Sequence, residues 1–170
     1  DRIEISHRRR ERLGFGFLTI PLKLSHNRLL SFQTRVGMIK ATAVIDTGAQ
    51  RTLGNHALRE ALKRRARHGR EEEIIGVTLE VQKGNNIRTP PIAFGKATIS
   101  GLSVTFAETA IFDHWKLTRD PALLLGMDVL GLMDVLIIDY VNREMHIRLR
   151  DARKDQGIEM RGRSSNIKGS

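Results

Sequence analysis

The apolar pattern of this chain restarts every few residues, and that cadence constrains the fold more than any other feature. From Gly14 onward, short runs rich in Val, Ile, Thr, Leu and Phe alternate with Gly, Asn and Pro, at 16–24, 30–36, 39–45, 74–81, 87–94, 96–99, 103–111, 135–139 and 144–148. Runs this short, closed off by turn residues, predict the strands of an all-β barrel or sandwich. Two stretches break the pattern. In 55–67 (NHALREALKRRAR), Ala57, Leu58, Ala61 and Leu62 fall at helical spacing, with Asn55 placed as an N-cap. The Lys and Arg of its last turn suit the negative end of a helix dipole. Residues 126–133 (GMDVLGLM) predict a second, shorter helix.

One domain over 14–150 accounts for these signals, flanked by an Arg-rich arm at 1–13 and a flexible basic tail at 151–170. The sequence of 170 residues is long enough for one core. It has no Cys, which excludes disulfides, thiolate metal sites and cysteine nucleophiles. No apolar run approaches the roughly 20 residues of a membrane-spanning helix. The six His are scattered, without His-Glu-x-x-His, so no metal site is expected. Gly-x-Ser-x-Gly is absent, which argues against a serine hydrolase elbow.

Chemistry concentrates in one place. In Val44-Ile45-Asp46-Thr47-Gly48-Ala49-Gln50 a β-branched run ends in a carboxylate, followed by a hydroxyl and a glycine. Thr47 can fix the turn by hydrogen bonding, and Gly48 lets the backbone approach the carboxylate or adopt positive φ. A strand-ending Asx-turn would need no more than this. Asp128, Asp134 and Asp139 lie in the apolar C-terminal segment and read as caps or turn residues.

VIDTGA at 44–49, LLLGMDVLG at 123–131 and the following VLIIDY at 135–140 together make the sequence resemble the retropepsin-like aspartic proteases, over about 17–150. The resemblance implies an acid-protease closed barrel with one or two short helices, in which Asp46 is catalytic and Thr47 and Gly48 support its loop. It implies substrate contacts at Ala49 and Gln50, and at Lys83, Gly84 and Asn85 at the tip of a flap hairpin spanning 74–95. Gln50 departs from the Ser or Asp usual there, and the basic segment ahead of the flap is longer than in the compact viral enzymes.

Such hydrolysis needs two carboxyl groups sharing a proton, one activating water and the other polarising the scissile carbonyl. The chain holds one Asp-Thr-Gly. The implied enzyme is therefore a homodimer that lends Asp46 twice to one site, cleaves protein or peptide substrates and requires no cofactor. Relatives in bacteria imply a periplasmic or membrane-anchored extracytoplasmic setting. Two other readings stay open: an inactive protease-like dimerisation domain, and a basic module for nucleic acid or acidic surfaces. The net charge of +10 favours the last. Against a nucleic-acid partner, aromatics make up only 5% of residues and are missing from the basic clusters.

Overall fold

The computed structural model describes residues 14–25, 29–68, 86–107, 109–150 and 160–162. The flap tip, the arm at 1–13 and most of the stretch after 150 lie outside the described residues. The chain begins with strands β1 (Leu18–Pro21), β2 (Lys23–Ser25), β3 (Leu29–Val36), β4 (Ile39–Ile45) and β5 (Leu53–Gly54), followed by helix α1 (His56–His68). Next come β6 (Asn86–Arg88), β7 (Ile92–Phe94), β8 (Ala97–Ile99), β9 (Ser103–Phe106), helix α2 (Ala110–His114), β10 (Ala122–Leu125) and helix α3 (Met127–Leu130). The hairpin β11 (Met133–Asp139) and β12 (Glu144–Leu149) and the short β13 (Met160–Gly162) complete it.

A curled, half-barrel sheet runs β13-β8-β7-β3-β4-β10-β5-β9-β6, with β2 added alongside β3. Its pairs are antiparallel except β4 with β10 and β5 with β9, which run parallel. A second, three-stranded sheet has the order β1-β12-β11. The expected all-β architecture is what the described residues form, with three helices attached.

The main core lies on one side of the curl. On β4 and β10, Ala41, Ala43, Leu123 and Leu125 face it, meeting Phe32, Val36, Phe94, Phe106, Met145 and Ile147. The rings of Phe32 and Phe94 sit 5.8 Å apart, tilted by 46°, the offset geometry aromatic pairs favour. Helix α1 lays Leu58 and Leu62 on this same core. The opposite side of β4 and β10 carries a smaller apolar cluster of Val44, Ala122 and Leu124, covered by Phe112 of α2. β10 is thus buried along its whole length, as a central strand with cover on both faces should be.

Where the observed elements differ from those expected, the cause is local. The run 87–94 is two strands, because Pro90 and Pro91 lack the N–H groups a ladder needs. The run 103–111 is a strand only to Phe106; from Ala110 the chain turns into α2, which carries Phe112 onto the second cluster. Leu22, between β1 and β2, donates instead to the carbonyl of Arg143 at 2.7 Å. The helix expected over 126–133 is the single turn of α3, because the chain is back in strand from Met133. Of the stretch from 151, β13 pairs antiparallel with β8.

Candidate active site

The carboxylate of Asp46 stands at the end of β4, where the strand stops pairing and the chain turns. Its amide continues the parallel ladder by donating to the carbonyl of Leu125 at 3.0 Å. The amide of Ala49 then closes a turn onto the carbonyl of Asp46 at 3.2 Å, and that of Gly48 donates to Asp46 Oδ1 at 3.1 Å. Gly48 is not at positive φ, and a Cβ there would stand 3.4 Å from Asp46 Oδ1, an ordinary contact, so the turn as formed calls on neither of the two roles open to this glycine. Thr47 and Gln50 are exposed beside the half-buried Asp46, and Ala49 is half-buried. Lys83, Gly84 and Asn85 lie outside the described residues.

The loop is fastened from behind by the segment that follows β10. Met127 N–H donates to the carbonyl of Ala49 at 2.8 Å, and Asp128 N–H to that of Gln50 at 3.2 Å. Thr52, fully buried, donates its amide to Asp128 Oδ2 at 2.9 Å and its hydroxyl to Asp128 Oδ1 at 2.7 Å. The same hydroxyl accepts from Gly126 N–H at 3.0 Å. Asp128 is therefore the brace of the acid-bearing loop, in keeping with its reading as a cap. Asp134 pairs with Arg148 at 2.8 Å. Asp139 accepts from the amide of Asn142 at 2.8 Å and its side chain at 2.6 Å, and these bonds hold its carboxyl below the usual range.

Gly126 makes this fastening fit. A Cβ on it would lie 2.5 Å from the carbonyl carbon of Arg51, against backbone that cannot swing aside. Gly126→Ala is thus expected to cost about 1–3 kcal/mol or more and to push the 46–52 loop out of register. The check is a thermal melt together with amide hydrogen exchange at Thr52, whose protection should fall with the melting temperature.

Asn55 fastens the next segment. As expected of an N-cap, its Oδ1 accepts from Leu58 N–H at 2.9 Å, and it also accepts from Ala122 N–H at 3.1 Å. Its amide group donates to the carbonyls of Leu117 and Asp120 at 2.6 and 2.7 Å. One buried side chain joins α1, β10 and the loop after α2. Sequence reasoning found the cap and missed the other three bonds, and it missed Thr52 altogether. The signal for Thr52 was faint: a hydroxyl six residues beyond Asp46 with no local partner.

Among the described residues no cluster of His, Cys, Asp and Glu is arranged to hold a metal ion. No helix there is long and apolar enough to cross a membrane.

A half-barrel sheet that ends one inner strand in an Asp-Thr-Gly turn, tied to a Leu-Leu-Gly segment on the neighbouring strand, defines the acid-protease class of folds. Residues 33–129 match the aspartyl protease family, so the chain belongs to that family. It is similar in structure to a retropepsin-like aspartic protease from Rickettsia conorii, with 15% identity, a TM-score of 0.46, and coverage of 78% of this chain and 90% of that one. It is also similar to the retroviral protease-like domain of Ddi1 from Leishmania major, with 15% identity, a TM-score of 0.42, and coverage of 74% and 97%. No curated protein matches the sequence.

Proposed function

We propose that the protein is an aspartic endopeptidase whose site is completed by a second copy of the chain, with one Asp46 from each. The observation that carries the reading is the placement of Asp46: a half-buried carboxylate held by Gly48 N–H on a loop braced by Thr52 and Asp128. Preorganised carboxylates of this kind can share one proton. The ionised member takes a proton from water as the water attacks the scissile carbonyl, and the protonated member donates to the carbonyl oxygen. Breakdown of the tetrahedral intermediate returns a proton to the leaving amine.

On this reading the second carboxyl comes from a second copy of the chain, since the three Asp of the C-terminal segment are engaged elsewhere. Asp128, Asp134 and Asp139 are committed to Thr52, Arg148 and Asn142. Two-fold symmetry supplies the twin at no extra sequence cost, and it brings two exposed Thr47 side chains together beside the dyad. Strand β11 favours such association: it is an edge of the three-stranded sheet among the described residues, and Val135, Leu136 and Ile138 on it are only half-buried. An apolar edge strand of seven residues is a template for pairing with another chain.

Cleavage of a denatured protein substrate tests the reading. Because one carboxyl must be charged and its twin protonated, the rate is expected to trace a bell in the acidic to mildly acidic range, falling on both sides. Sedimentation under the same conditions should give a dimer. A rate that keeps rising through neutral pH, or activity carried by a monomer, rules the mechanism out.

A further inference from the structure

The register of the three strands around the acid carries on past their ends and fixes which residue stands across from Asp46. Val44, Leu124 and Leu53 form one row over β4, β10 and β5, and all three belong to the second apolar cluster. Side chains two positions apart on a strand return to the same face. Two positions further toward the loop, the row is Asp46, Gly126 and Arg51. Contacts at both flanks keep it: the Asp46 amide donates to the carbonyl of Leu125 at 3.0 Å, and the backbone of Arg51 packs directly against Gly126. Adjacent strands lie about 4.8 Å apart, so the backbones of Asp46 and Arg51 are about 10 Å from each other. Gly126 between them has no side chain. The hydroxyl of Thr52 turns back into the brace with Asp128 and Gly126, so its neighbour Arg51 is directed to the opposite, open side of the loop.

We infer that Arg51 is a specificity-determining residue that selects substrates carrying an Asp or Glu two or three residues from the scissile bond. The inference rests on the peptidase reading above. An extended peptide advances about 3.3 Å per residue, so side chains at those places lie about 7–10 Å from the cleaved bond, which matches the span from Asp46 to Arg51. The root of Arg51 is held still. On one side the carbonyl of Gln50 accepts from Asp128 N–H at 3.2 Å, and on the other Thr52 is tied to the Asp128 carboxylate. The side chain, in contrast, is exposed and makes no hydrogen bond or ion pair among the described residues. A planar guanidinium with its donors uncommitted, on a fixed stem, suits a bidentate carboxylate partner. In a two-fold dimer each Asp46 has its own Arg51, so the preference applies on both sides of the cleaved bond. The net charge of +10 acts in the same direction, drawing acidic chains toward the protein.

The test compares peptides that differ at one place, two or three residues from the scissile bond, with Glu, Gln or Lys there. The assay runs at about pH 6, where a Glu with its ordinary pKa of about 4.3 is ionised. In the wild-type chain kcat/KM is expected to favour Glu over Gln by about tenfold, the worth of a hydrogen bond to a charged group sheltered by the bound peptide. Arg51→Gln should remove the preference, and Arg51→Glu should turn it over in favour of Lys. Each ratio is taken within one variant, so it does not depend on how much of that variant folds. Higher salt should shrink the wild-type ratio. A wild-type ratio within about twofold of unity, the size of an ordinary solvent-exposed pair, overturns the inference, as does an unchanged preference in Arg51→Gln. Binding of labelled, non-cleavable statine peptides with the same three side chains, read by anisotropy, keeps the two readings apart. Glu-selective binding that Arg51→Gln abolishes, without Asp46-dependent cleavage, would remove the peptidase reading and leave the role of Arg51. Asp46-dependent cleavage with no preference for Glu would do the reverse, and failure to bind or cleave any peptide would remove both.

Discussion

Asp46→Asn is expected to abolish peptide hydrolysis, a loss of about 10²–10⁴-fold for the acid–base contribution alone, while leaving melting temperature and dimer mass unchanged. The amide can still accept from Gly48 N–H, so the turn keeps its internal bond. What it cannot do is hold the negative charge that draws a proton from water. Mixing gives the sharper result. If dimers form at random, equal amounts of the two chains leave about a quarter of dimers with two intact carboxyls, so activity per wild-type chain should halve. A catalyst complete within one chain would show no such fall. Unchanged specific activity on mixing, or normal cleavage by the variant alone, ends the dyad model.

The largest loss of stability is expected from Asn55→Ala. Asn55 is 2% exposed and makes four side-chain bonds, each to a backbone group of a different residue. Buried groups stripped of a partner cost about 1–3 kcal/mol each, tempered by relaxation and water entry, so a total of about 3–5 kcal/mol follows. For a domain of this size that is a fall in melting temperature of roughly 10 °C. Asn55→Asp separates the contributions. It keeps the acceptor for Leu58 and Ala122 and loses the donor to Leu117 and Asp120, so it should melt between the other two and disturb Trp115 emission as α2 comes free. A variant melting within about 2 °C of wild type would show that the four bonds are worth far less than their burial implies.

The candidate site was legible because its signal is local. A β-branched strand, an acid, a hydroxyl and a glycine stand in consecutive positions, and the geometry of the turn follows from them. The helix α1 was legible for the same reason, its cap and apolar spacing lying within one short segment. The other parts of the site depend on residues distant in sequence. Asp128 meets Thr52 across 76 positions, and the carbonyls that Asn55 holds are 62 and 65 positions away. Nothing in the neighbourhood of Thr52 or Leu117 announces those partners. The expected strand over 103–111 takes in Ala110 and Ile111, the first two residues of α2, because alanine and isoleucine next to a β-rich run suit either state. What decides between them is the apolar patch of Val44 and Leu124, which exists only once β4 and β10 have paired. The break between β6 and β7 was within reach, since two adjacent prolines cannot sit in a ladder.

That parallel pairing has a bearing on synthesis. Strand β4 leaves the ribosome long before β10, and until the later strand arrives Asp46 has no Leu125 carbonyl to hold its amide, nor Thr52 its Asp128. Contacts of such long range form late, since closing the intervening chain is costly in entropy. A half-made polypeptide can close the local turn of Asp46, Gly48 and Ala49 but lacks the ties that fasten it from behind, which form only when nearly the whole domain has been translated.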